Sequence, residues 1–124
     1  MNALAMITIY HNPRCRKSRE TLALIQASGE NFEIVEYLKN PLGKEELKAL
    51  LNKLQMQPEE LLRKGEAIWK EKYKGKALGE DQILQAMAEH PKLMERPVVV
   101  KGEAALLGRP PENVKRLLEN PGLN

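Results

Sequence analysis

Two short β-rich runs with a single helical pattern between them constrain this chain more than any other feature. Met6 to Tyr10 is apolar and β-rich, and Asn12-Pro13 stops it, so a strand followed by a tight loop is the simplest reading. Ser18, Leu22 and Ile25 then fall on one face at i, i+4 and i+7, and Gly29 is a natural stop, which predicts a helix from about Cys15 to Ser28. Phe32 to Tyr37 is the second β-rich run. Strand, helix and strand in that order make a βαβ unit, whose strands are parallel and whose crossover is right-handed.

The middle of the chain reads differently. Leu47, Leu50, Leu51 and Leu54 repeat with helical spacing after Gly43, and Pro58 opens a further helix carrying Leu61 and Leu62. A third helix spans about Asp81 to Glu89, with Ile83, Leu84, Met87 and Ala88 on its apolar face, and His90-Pro91 ends it. Lys70 to Gly79, rich in Lys and Gly, reads as an exposed connection. Pro97 to Lys101 has the β-branched run of a strand buried on both faces, and Gly102-Glu103 is a hairpin turn into Ala104 to Leu107. Arg109-Pro110-Pro111 starts a last helix striped by Val114, Leu117 and Leu118 and closed by Asn120-Pro121-Gly122. The expected order is β-α-β, three helices, then β-β-α: one α/β domain over 1–124 with a helical insertion at about 43–90 and a loose extension at its start, Met1 to Ala5.

A chain of 124 residues can enclose one hydrophobic core without staples. Its single cysteine cannot form an internal disulfide, and no apolar stretch approaches membrane-spanning length. The residues before Tyr10 lack the basic start and long apolar middle of a secretory signal, so the expectation is a soluble cytoplasmic protein. Lys and Arg number 20 against 17 acidic residues, an excess too diffuse to indicate a nucleic-acid surface. Neither nucleic acid nor membrane is expected as a partner.

The charge that matters is local. Cys15 lies in His11-Asn12-Pro13-Arg14-Cys15-Arg16-Lys17-Ser18-Arg19, between the first strand and the first helix. There, free helix amides and the neighbouring cations both favour thiolate over thiol, and a pKa well below that of a free thiol is predicted. Cys15 and Ser18 form C-x-x-S, so a dithiol cycle within the chain is impossible and a second thiol must come from outside. The cysteine-to-arginine loop of tyrosine phosphatases fails because Thr21 occupies the arginine position, and no Walker loop is present. His11, His90 and Cys15 are too scattered for zinc, and no bound cofactor is expected. Arg63, Arg96 and Arg109 stand at the ends of predicted elements, where each could be a surface arginine or all could converge on an oxyanion. His11 and Ser18 could tune the thiol or serve only the loop and the helix start.

Ile9 to Leu22 closely resembles the opening of the glutaredoxin-coupled arsenate reductases, the ArsC-like family. Leu61-Leu62-Arg63-Lys64, Glu95-Arg96-Pro97-Val98-Val99-Val100 and Gly108-Arg109-Pro110-Pro111-Glu112 resemble its three later signature segments, in order and at compatible spacing. The resemblance implies a thioredoxin-like fold with a helical insertion between its two halves. It implies that Cys15 attacks arsenate or a similar oxyanion, that Arg63, Arg96 and Arg109 bind and stabilise that oxyanion, and that His11, Ser18 and Arg19 tune the loop. Glutathione is then the co-substrate, glutaredoxin the reducing partner, and the Arg96-Pro97 bond is cis. The chain ends soon after its last predicted helix, which brings it closer to a short chromosomal subgroup described as arsenate-reductase-related. Two alternatives share the fold: a redox-linked regulator that binds RNA polymerase, usually carrying C-x-x-C, and a monothiol glutaredoxin-like protein, in which the three arginines have no obvious role.

Overall fold

The computed structural model describes residues 6–118, so the expected extension at Met1 to Ala5 and the closing Asn120-Pro121-Gly122 lie outside the described residues. The chain forms two compact units, one of residues up to 37 together with those from 96 onward, the other of residues 38–95.

The first unit contains β1 (Ile7–Tyr10), α1 (Arg16–Ser28), β2 (Phe32–Val35), β3 (Val98–Lys101), β4 (Ala104–Leu107) and a 3-10 helix, Pro111–Arg116. Its sheet runs β2-β1-β3-β4. β1 and β2 are parallel with Ile7 opposite Phe32, and the β1–β3 and β3–β4 pairs are antiparallel. This is the βαβ…ββα order of a thioredoxin-like sheet. The period-two alternation of β1 turns Ile7 and Ile9 to one face, where they pack with Ile25 of α1, Val99 of β3 and Val114 of the 3-10 helix. All five side chains have no solvent exposure. Each such burial contributes about 1.5–3 kcal/mol, several times what an exposed ion pair supplies, so this core fixes α1 against the sheet.

α1 starts at Cys15, whose φ of −93° and ψ of 122° make it the N-cap, and stops at Gly29, which takes the left-handed conformation at φ 78° and donates its amide to Gln26 O. The last element is a 3-10 helix rather than an α-helix. Prolines at 110 and 111 remove two amides at its start, and the bonds that follow run i to i+3, as from Asn113 N to Pro110 O and from Leu117 N to Val114 O.

The second unit is helical: α2 (Lys44–Leu54), α3 (Pro58–Leu61), α4 (Ala67–Lys72), α5 (Glu80–Glu89) and a 3-10 turn at Pro91–Leu93. α2 and α5 start with the same device, a glycine whose amide donates to the side chain three residues on: Gly43 to Glu46 Oε1 and Gly79 to Gln82 Oε1, both at 2.9 Å. Leu47, Leu50, Leu51 and Leu54 are buried as their spacing predicts, and so are Ile83, Leu84 and Met87. α4 is a helix beyond the three expected, and because it continues to Lys72 it shortens the connection expected at Lys70 to Gly79. Its buried Trp69 stacks on Tyr73 with ring centres 5.2 Å apart, anchoring a turn that charge composition alone assigns to solvent.

Candidate active site

The loop between β1 and α1 is fixed by its own hydrogen bonds. His11 N donates to Val35 O at 2.8 Å, tying the end of β1 to β2. Asn12 then organises the turn, accepting from Cys15 N on its carbonyl at 2.9 Å and from Arg14 N on its side chain at 3.0 Å. From inside α1, Arg19 reaches back and donates Nη1 to Pro13 O at 2.9 Å. The first helical bond, Arg19 N to Cys15 O at 3.0 Å, leaves the amides of Arg16, Lys17 and Ser18 free of intrahelical partners.

Cys15 occupies this cradle with 9% of its surface exposed. Burial alone pushes the thiol pKa up, but the Ser18 amide, the Arg96 side chain and charge, and the Lys17 amide outweigh it and hold the pKa below the ordinary thiol value. The sulfur takes the acceptor role of an N-cap side chain, and it does so better as an anion.

Ser18 acts on the sulfur through its amide, while its hydroxyl is engaged elsewhere. Ser18 Oγ lies 2.6 Å from His11 Nδ1 and accepts from Asn12 N at 3.1 Å. Burial lowers the His11 pKa, Glu36 opposes this and Arg19 adds to it, so the ring is neutral at neutral pH. A neutral ring with Nδ1 as acceptor takes the single hydroxyl proton of Ser18. His11 and Ser18 are both buried, so the pair locks the loop from beneath.

Arg96 and Arg109 come from the two turns flanking the β3–β4 hairpin. Both are followed by cis prolines: Arg96-Pro97, as expected, and Arg109-Pro110, which was not. Arg109 is exposed, and its Nη1 lies 3.4 Å from Arg96 O. Arg96 is half-buried, and its Nε and Nη1 are enclosed without a hydrogen-bond partner among the described residues. Buried guanidinium nitrogens without acceptors are costly unless an anion meets them. Free helix amides and a guanidinium beside the sulfur are the kind of donors that an oxyanion requires.

Arg63 belongs to the second unit. Its guanidinium pairs with Glu66 and, at 3.5 Å from Nε to Oε1, with Glu95, while its amide donates to Leu93 O at 2.7 Å. The first unit thus brings together Cys15, His11, Ser18, Arg19, Arg96 and Arg109. Asn12, as organiser of the turn, escaped the sequence reading. Among the described residues, no group of three or more His, Cys, Asp or Glu could hold a metal ion.

Residues 10–117 match the model of the ArsC family. The chain is 46% identical over 114 residues to the Escherichia coli K12 protein YfgD, covering 90% of this chain and 96% of that one. It is 40% identical to an arsenate reductase of Neisseria meningitidis, covering 90% and 97%. The solved arsenate reductase of Vibrio cholerae superposes with a TM-score of 0.87 at 44% identity, covering 92% of this chain and 98% of that one.

Proposed function

Since this chain belongs to the ArsC family, we propose that it is an arsenate reductase in which Cys15 is the nucleophile and arsenic the electrophile. One observation carries the reading: the Arg96 side chain meets the Cys15 sulfur while two of its buried nitrogens still lack an acceptor. A tetrahedral oxyanion beside the sulfur would supply that acceptor.

The reaction then proceeds in balanced steps. The Cys15 thiolate attacks As(V), an S–As bond forms, and one arsenate oxygen leaves as water after taking up protons. Glutathione adds through its thiol and displaces a second oxygen as water, so that arsenic carries two sulfurs. A glutaredoxin thiolate attacks the glutathione sulfur, forming a mixed disulfide, and the electron pair of the broken S–As bond reduces arsenic to As(III). Water releases arsenite and returns Cys15 to its thiolate. Both external thiols are needed because the chain has one cysteine and no partner for it.

The site's own groups lower the barriers to these steps. The Ser18 and Lys17 amides and Arg96 hold the pKa of the attacking sulfur below the ordinary thiol value and so raise its thiolate fraction. Arg96 and Arg109 bind oxygens whose charge grows during attack. His11, Ser18 and Arg19 keep the loop in place. No helix among the described residues is long and apolar enough to cross a membrane, and a reducing cytoplasm is the proposed setting.

The test is arsenate-dependent NADPH oxidation coupled through glutathione, glutaredoxin and glutathione reductase. Native protein should turn over, and Cys15→Ser should lose at least about 1,000-fold of kcat, as for loss of a covalent nucleophile. Native protein that is folded and still inactive with all coupling components present would refute the reading.

A further inference from the structure

Gly108 stands where α1, the Arg96-Pro97 turn and the Arg109-Pro110 turn converge. A Cβ at this position would lie 2.5 Å from Thr21 Oγ1, 2.9 Å from Pro97 Cγ and 3.0 Å from Thr21 Cγ2. Neither neighbour can swing aside. Thr21 is β-branched and has no solvent exposure, and Pro97 is a buried ring. The contact is also hydrogen-bonded: Gly108 N donates to Pro97 O at 2.9 Å. Thr21 Oγ1 donates to Lys17 O at 2.8 Å and lies 3.4 Å from Gly108 O.

Each partner in this contact is covalently close to a working group. Thr21 is on the helix that begins at Cys15, and it holds the carbonyl of Lys17, whose amide faces the sulfur. Pro97 follows Arg96, and Gly108 precedes Arg109. We propose that Thr21 and Gly108 are a positioning pair whose close approach sets the separation between the Cys15 sulfur and the guanidiniums of Arg96 and Arg109. The proposal rests on reading the site as an oxyanion site. Neither residue touches a reacting atom. They act through the backbone, and only a residue without Cβ at 108 lets the helix and the two arginine turns come this close. A purely structural contact would cost stability and leave thiol ionisation alone, whereas a positioning contact alters both.

The experiment compares the native chain with Gly108→Ala, Thr21→Ala and the double variant. It reads the pH dependence of iodoacetamide alkylation, which reports one site because the chain has one cysteine, together with KM and kcat for arsenate. Gly108→Ala should shift the alkylation profile to higher pH and raise KM by about 10-fold or more, with a smaller change in kcat. Thr21→Ala should show a weaker shift. In the double variant, removing Oγ1 and Cγ2 vacates the space that the new Cβ needs, so the profile should return towards native and KM to within about 3-fold. A folded double variant with a native-like profile supports the proposal even if Gly108→Ala alone does not fold. A native profile in Gly108→Ala overturns it, as does a double variant as impaired as Gly108→Ala in profile or folding. If no chain, native included, reduces arsenate, the functional reading fails, and the alkylation profiles still decide this proposal.

Discussion

Arg96 and Arg63 look alike in the sequence, each at the end of an apolar stretch, yet the two units treat them in opposite ways. In the helical unit, Arg63 is flanked by the carboxylates of Glu66 and Glu95, so its charge is compensated within the chain. In the sheet unit, Arg96 faces the Cys15 sulfur and keeps two buried nitrogens without an acceptor. A compensated guanidinium stabilises its surroundings and has less to offer a ligand. An uncompensated one raises the free energy of the empty site, and that cost is offset when an anion arrives. The difference separates a guanidinium already paired within the chain from one that keeps donors to spare.

The largest effect should come from Arg96→Met. Losing one preorganised donor to a developing oxyanion typically costs 100- to 1,000-fold, so kcat/KM for arsenate should fall by about that factor, and the Cys15 alkylation profile should move to higher pH. Arg96→Lys should not restore the rate, since an ammonium cannot present the same planar fork. Steady-state kinetics on the two variants decide this, and a loss smaller than about 5-fold in Arg96→Met would remove the distinction between the two arginines.

Arg63→Met should behave differently. Its carboxylate partners are less than one-third exposed, at 25% and 29%, so their loss of a cation should cost about 1 kcal/mol of stability in denaturant unfolding. Its effect on kcat/KM should be smaller than that of Arg96→Met, because part of its charge is already committed to Glu66 and Glu95. Equal kinetic losses in the two variants, with stability unchanged in Arg63→Met, would break the comparison.

Much of this was legible in the sequence, for reasons that also explain what was not. The βαβ unit, the hairpin and the buried leucines of α2 follow from periodicity, which depends only on near neighbours. Cys15 was legible because a strand-to-helix loop and its flanking cations lie within nine residues. What escaped depends on distance in the chain. Thr21 and Gly108 are 87 residues apart, and nothing local marks a glycine as needed for the room it leaves rather than for a turn. The pairing of Arg63 with Glu95 spans two elements and is equally silent. The 3-10 geometry after Arg109 was hidden for another reason: the apolar stripe Val114, Leu117, Leu118 suits either helix type, and the two prolines decide.

The smallest effect tests the loop beneath the sulfur rather than the arginines above it. His11 is buried and neutral, so its folded pKa lies below the ordinary histidine value, with burial as the main cause. As pH falls, the unfolded chain therefore takes up the imidazole proton first, and the linkage relation gives a stability that decreases with falling pH. This contribution is complete above the ordinary histidine pKa, declines between that value and the depressed folded one, and is then exhausted. His11→Gln removes the titration while keeping a side chain able to accept from Ser18. The native-minus-variant difference in unfolding free energy should hence shrink on acidification through that interval and stay flat above it. A flat difference throughout would mean that His11 titrates alike in both states, and that burial does not hold it neutral. The Cys15 alkylation profile of the same variant adds a control: a small displacement places His11 in the support of the loop, whereas a shift as large as that of Arg96→Met would move the electrostatic weight from the guanidinium to the ring.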